Sequence, residues 1–246
     1  MDLVEMKEFA VKSLLEVLQE LEDAGLTAEN TLKEQRDIVT NADIFIESRI
    51  IERLRAEYPS HFFSSEEAGE AVIDKNVADV YEWVLDPLDG TINFAAGLPW
   101  FSTSLCLKHN HELAVGIVCI HSTKELYSAV RGQGSYCNGK KLHVSATPSL
   151  AQSVLSFMLT SHYDEQQTDD MLHIVRNLSL KTRGLRLLVS QAMELCLIAG
   201  GKLDGTVCIK SRGFSSSAGA LIVQEAGGTV SAIDGGKRGQ DHGTCR

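Results

Sequence analysis

The apolar run Trp83-Val84-Leu85 passes straight into Asp86-Pro87-Leu88-Asp89-Gly90-Thr91. This is the stretch that most constrains the fold. A short apolar run of this kind reads as a buried strand, stopping at Asp86-Pro87. Pro87 biases Asp86 away from helical geometry, and Gly90 lets the chain turn tightly. Two carboxylates three positions apart, with the Leu88 carbonyl near them, can then face one point. Such an oxygen cluster suits a hard cation such as magnesium. The Gly90 and Thr91 amides would open the next segment and can cradle a phosphate. Asp-x-x-Asp-Gly taken alone also fits a plain turn in which the aspartates cap backbone amides.

The neighbouring segments favour chemistry. Glu66 and Glu67 follow Phe62-Phe63 at the expected end of a strand, and Thr40 and Asp43 precede a helix. Acids placed at separate element ends are what a metal-dependent phosphate hydrolase needs, because cations neutralise the phosphate and activate a water for in-line attack.

Along the rest of the chain, the spacing of Leu14, Val17, Leu18 and Leu21 predicts a helix stopped at Gly25, and Ile46, Ile50 and Leu54 predict a second, closed by Pro59. Strands are expected over 102–108, 113–121, 125–130 and 141–144, the last after an Asn138-Gly139 hairpin turn. Further strands are expected over 153–159 and 203–209, with helices over 164–178, 189–199 and 216–226. This mixture predicts a layered α/β or α+β protein. Residues 1–148 would form an N-terminal layer with the acidic motifs, 149–234 a C-terminal layer, and 235–246 a polar, disordered tail.

Composition narrows the partners. A formal net charge of -10 over 246 residues argues against a nucleic-acid backbone as partner. No apolar run reaches the roughly 18 residues of a membrane span, and the first residues show no secretory signal. The six cysteines lack Cys-x-x-Cys spacing, which fits free thiols in a reducing cytosol. His109 and His111 flank Asn110 in a polar turn and read as surface residues. Gly132-Gln133-Gly134 is followed by strand signals and does not make a dinucleotide site.

Several of these motifs, in this order, resemble the inositol monophosphatase family. Asp86-Pro87-Leu88-Asp89-Gly90-Thr91 with Asn93-Phe94 resembles its first signature, Glu66-Glu67 its upstream metal-binding acid, and Asp37 to Asp43 its Asp-x-Val-Thr-x-x-Asp segment. Gly132 to Gly139 and the Ala218-Gly219…Glu225-Ala226-Gly227-Gly228 helix end also fit. The resemblance implies an α-β-α-β-α sandwich, a cytoplasmic homodimer, and a lithium-sensitive, magnesium-dependent phosphatase of small phosphate monoesters. It implies that Glu66, Asp86, the Leu88 carbonyl and Asp89 hold metal. Catalysis would rest on Glu66, Asp43 and Thr91, the last two orienting the attacking water, while the Gly90 and Thr91 amides bind phosphate.

Two departures stand out. The family's second signature, Trp-Asp-x-Ala-Ala-Gly, reads here Phe214-Ser215-Ser216-Ser217-Ala218-Gly219. Ser215 thus stands where the family has a second-metal aspartate; it keeps a helix-capping ability but not the charge, so weaker second-metal binding is expected. Many inositol-specific members carry an acid where this chain has Cys208, with Lys210 and Arg212 beyond. Together with Arg186 these bases could meet a second phosphate, as in a fructose-1,6-bisphosphate or bisphosphonucleotide phosphatase. After Gly228 the family's final strand and helix are expected to be missing. A degenerate paralogue that binds phosphorylated ligands with little turnover is the remaining alternative.

Overall fold

The computed structural model describes residues 2–25, 30–34, 37–74 and 77–232. Helix α1, Leu3–Ala24, buries Met6, Ala10, Leu14, Val17 and Leu21 on one stripe. The Asp2 side chain caps its start by accepting from the Val4 amide, and Gly25, left-handed at φ 59, ends it. Helix α2, Asn41–Glu57, buries Ala42, Ile46, Ile50 and Leu54. It lies beside α1, and Arg49 and Arg53 pair with Glu20 across the seam.

Both helices cover one face of a seven-stranded sheet. Its strands are β3 Phe62–Ser65, β4 Tyr81–Asp89, β5 Ser102–His109, β6 Glu112–Ile120, β7 Glu125–Val130, β8 Ser135–Cys137 and β9 Lys140–Lys141, ordered as they follow in the chain. Only the β3–β4 pair is parallel. A two-stranded ladder, β1 Asn30–Glu34 with β2 Asp37–Thr40, leads into α2. Helix α3, Thr91–Ala95, follows β4 directly.

The opposite face of the sheet is covered by α5, Gln191–Ala199, and α6, Gly213–Glu225. Close approach here depends on glycine. A Cβ on Gly116 of β6 would lie 2.6 Å from the Ala218 carbonyl oxygen of α6, and one on Gly219 would lie 2.7 Å from Leu195 of α5. Beyond these helices lies a parallel sheet ordered β11-β10-β12, from Gly184–Arg186, Val154–Phe157 and Gly205–Val207. Helix α4, Glu165–Ser179, packs against β11. Helices, sheet, helices, sheet and helix therefore alternate, as the sequence implied.

Several boundaries differ from the sequence expectation, each for a physical reason. Strand β4 does not stop at Asp86-Pro87 but runs to Asp89, with a break in register between Asp86 and Asp89. The break absorbs Pro87, which has no amide to donate. Helix α5 starts at Gln191 because Val189 is left-handed, φ 56, and cannot enter a helix. Helix α6 starts at Gly213, with Arg212 rather than a serine at its N-cap. The strand expected over 141–144 shrinks to Lys140–Lys141, although Asn138 and Gly139 do take the positive φ of their hairpin turn. His109 is no surface residue of a turn; it closes β5, stacks on Tyr81 at 4.3 Å and meets Asp79 at 2.6 Å. The amides of Gly132 and Gly134 each donate at 2.7 Å to the Glu225 carboxylate, so this Gly-x-Gly anchors the end of α6. The five cysteines among the described residues are free thiols. No described helix is long and apolar enough to cross a membrane. The expected tail over 235–246 lies outside the described residues.

Glu194 is completely buried in α5, where Oε2 accepts from Ser156 and Thr206 while Oε1 has no partner. Burial pushes its pKa up to about 7. The folded chain therefore holds this proton to higher pH than the unfolded chain, and stability is lost as pH rises from about 4.5 to about 7. Glu194→Gln should flatten that decline in thermal unfolding and gain at most ~3 kcal/mol at pH 8 over the parent. Gly116→Val should cost about 1–3 kcal/mol by forcing α6 off the sheet, read as a lower urea midpoint at unchanged slope.

Candidate active site

The site forms where the C-terminal end of β4 meets the starts of α2, α5 and α6. Asp86 and Asp89, at 1% and 7% exposure, are held by polar groups from other elements. Asp86 Oδ2 accepts from the Ser215 hydroxyl at 2.6 Å, and Oδ1 from the Leu88 amide at 3.2 Å. Asp89 Oδ2 accepts from the Ser190 hydroxyl at 2.7 Å and the Ala192 amide at 2.8 Å. It thereby caps α5 from a different strand, a function the Ser190 side chain itself does not perform. Ser102 approaches the same oxygen at 3.5 Å and Ser190 at 3.3 Å.

Gly90, at φ 94, ends β4 and starts α3. A Cβ there would be 2.7 Å from the Trp100 carbonyl, so no other residue fits this turn. Asn93 then ties the turn to the segment before α5, donating to the Trp100 and Leu188 carbonyls at 2.8 Å each. Beneath it, the Thr103 hydroxyl lies 2.8 Å from both the Pro87 carbonyl and His121 Nε2. A single hydroxyl hydrogen serves the carbonyl, so His121 donates from Nε2 and is neutral, in keeping with the burial that lowers its pKa to about 4.

Thr91 and Asp43 stand on the other side. Thr40 and Asp43 form the reciprocal capping box of α2, and the Thr40 amide donates to Asp43 Oδ2 at 2.8 Å. The Thr91 hydroxyl lies 2.9 Å from the Leu88 carbonyl and 3.3 Å from Asp43 Oδ1. Glu66, just past β3, completes the group. Its amide donates to the Leu85 carbonyl, and its Oε1 accepts from Arg212 Nη1 at 2.7 Å.

Electrostatically the site is overloaded with negative charge. Burial, then Glu66 and Asp89, raise the Asp86 pKa well above the usual carboxylate range, against the pull of the Ser215 hydroxyl. Burial raises Asp89 to about 6, opposed by Ser190 and the Ala192 amide. Burial likewise raises Asp43 to about 6, opposed by Thr40 and Thr91. Among the described residues, no group of three or more His, Cys, Asp or Glu side chains is arranged to enclose a metal ion. Each carboxylate is instead turned to a neighbour: Asp86 to Ser215, Asp89 to Ser190, Glu66 to Arg212. The donor chemistry nevertheless suits a hard cation, since hard oxygen donors press on one another's charge out of water.

The comparisons with known proteins decide the family. The model of the inositol monophosphatase family matches residues 2–245. The chain belongs to the inositol monophosphatase family. It is 38% identical over 211 residues to the protein named Nus factor SuhB of Pasteurella multocida (strain Pm70), covering 85% of this chain and 76% of that one. It is 35% identical over 199 residues to Inositol monophosphatase 1 of Solanum lycopersicum, covering 80% and 73%. The solved inositol monophosphatase from Anabaena (Nostoc) sp. PCC 7120 superposes with a TM-score of 0.85 at 29% identity, over 99% of this chain and 90% of that one. The chain is thus a member of a family of phosphoric monoester hydrolases.

Within this member, the bases singled out by sequence do not converge. Arg212 sits on Glu66. The Arg186 guanidinium folds back to the Leu185 carbonyl at 2.9 Å, and Lys210 is exposed. Cys208 is buried, its sulfur 3.6 Å from the Tyr163 hydroxyl. Ser215 is not a helix cap: it is the third residue of α6, and its hydroxyl is spent on Asp86. Sequence reading missed Ser102, Ser190 and His121. No local pattern marks them, because their roles come from strands and helices up to 101 residues away from Asp89. Ser190→Ala removes the hydroxyl that orients Asp89. It should weaken magnesium binding about tenfold to hundredfold, measured by calorimetry, with little change in the circular dichroism spectrum.

Proposed function

We propose that this chain hydrolyses small phosphate monoesters, inositol monophosphate or a sugar phosphate, with magnesium held by Glu66, Asp86, the Leu88 carbonyl and Asp89. The observation that carries this reading is the placement of Asp86 and Asp89 at the end of β4, with Glu66 just past the adjoining β3 and the Thr91–Asp43 pair across the glycine turn at Gly90. When bound, magnesium supplies a Lewis acid for the phosphoryl oxygens and lowers the pKa of the attacking water.

The chain's own groups do the positioning. Thr91 spends its single hydrogen on Leu88 or Asp43, which leaves its lone pairs to receive a hydrogen from the water. Asp43 is ionised above about pH 6 and can take a proton at Oδ1 passed through Thr91. The Gly90 and Thr91 amides, at the start of α3, face the phosphate oxygens.

A monoester is favoured over a bisphosphate because Arg186, Lys210 and Arg212 do not gather into a second phosphate site. The family resemblance further implies lithium sensitivity and a homodimer, while the cysteine pattern favours a cytoplasmic setting and the sequence pattern divides the layers near residue 148. A second reading follows from relatives that bear the name Nus factor SuhB: a regulatory binding role beside turnover or in place of it.

Phosphate release from inositol 1-phosphate and fructose 1,6-bisphosphate across a magnesium titration separates these readings. Turnover should require magnesium, prefer the monoester, and vanish in Asp89→Asn. A folded parent chain that releases no phosphate from either ester would instead leave the binding role as the better account.

A further inference from the structure

Three carboxylates, Glu66, Asp86 and Asp89, stand at the adjoining ends of β3 and β4. Among the described residues, the cation bonded to this group is Arg212, whose Nη1 donates to Glu66 Oε1 at 2.7 Å. The guanidinium thus offsets one carboxylate of the group and leaves less charge for a second divalent ion to neutralise. A second divalent ion would need another anionic oxygen, because magnesium binds through carboxylates and water. The residue placed to offer one is Ser215, and its hydroxyl is already donated to Asp86 at 2.6 Å.

Arg212 is held at both its backbone and its guanidinium. Its backbone is the N-cap of the thirteen-residue helix α6. Its carbonyl accepts from the Ser216 hydroxyl at 2.7 Å, and Nη2 lies 3.2 Å from His162 Nδ1. The guanidinium is thus stretched between Glu66 and His162. Its side chain is still 41% exposed, and of its five N–H donors these two contacts use two. The remaining donors form a planar edge suited to phosphate oxygens.

We propose that Arg212 is a fixed cation of this active site, taking the place of a second metal ion, so that the chain binds one divalent ion and meets the substrate phosphate with metal and guanidinium together. The assignment rests on the phosphatase reading above and gives Arg212 a role that reading leaves open. Ser215 and Arg212 then belong together, the hydroxyl removing a metal ligand and the guanidinium supplying the charge.

Calorimetric titration of the full chain with magnesium chloride, and then with inorganic phosphate at saturating magnesium, tests this. One magnesium per chain is expected. Ser215→Asp should raise the count to two, with thermal melts confirming that it folds. Arg212→Gln, at an exposed side chain, should keep one magnesium and weaken inorganic phosphate about tenfold or more. Two or more magnesium ions on the parent chain, or unchanged phosphate affinity in Arg212→Gln, would overturn the assignment. Turnover measured on the same samples separates the two ideas. One bound ion without hydrolysis counts against the phosphatase reading alone, and two bound ions with hydrolysis count against the fixed cation alone.

Discussion

Asp86 and Asp89 carry like charges into the interior on a strand buried along its whole length. Unpaired, such charges would cost several kcal/mol each, and much of the surrounding structure answers that cost. Ser215 at the start of α6 donates to Asp86, and Ser190 with the Ala192 amide at the start of α5 donates to Asp89. The positive ends of two helices are thereby directed at the carboxylates. The two helices that cover the sheet are in this way aimed by these two acids.

The glycines are best understood from that arrangement. Gly116 and Gly219 let α6 sit close to the sheet and to α5, which brings Ser215 within reach of Asp86. Gly90 turns the chain where a side chain would strike the Trp100 carbonyl, which places Thr91 beside Asp43. Glu225 holds the far end of α6 through the amides of Gly132 and Gly134. Helix α6 is fixed at both ends, once by Asp86 and once by a hairpin.

This member departs from the family pattern where Ser215 stands in place of an aspartate, and Arg212 lies close by on Glu66. Where an aspartate would add negative charge, Ser215 adds a hydroxyl, and Arg212, three residues earlier, reaches across to Glu66. A hydroxyl in place of an anion and a guanidinium on Glu66 both ease the electrostatic load of the site. The fold is indifferent to the exchange, since α6 keeps its apolar contacts on the sheet.

Much of this was legible in the sequence. Helical spacing located α1 and α2, Asn138-Gly139 located its hairpin, and Asp86 to Thr91 located the site, because these signals are local: periodicity, turn chemistry and a fixed spacing of acids. The break in register that lets Pro87 lie within β4 was not legible, nor was the left-handed Val189 that delays α5. Both arise from packing against neighbours that no single segment reveals. The bases show the same division. Sequence supplied Arg186, Lys210 and Arg212 as one possible phosphate site, yet Arg186 turns to its own strand and Arg212 to Glu66, 146 residues away. The sequence by itself determined which atoms could bind metal and phosphate. Only the tertiary structure decided which partners those atoms have, because long side chains go to whichever charge the fold brings within reach.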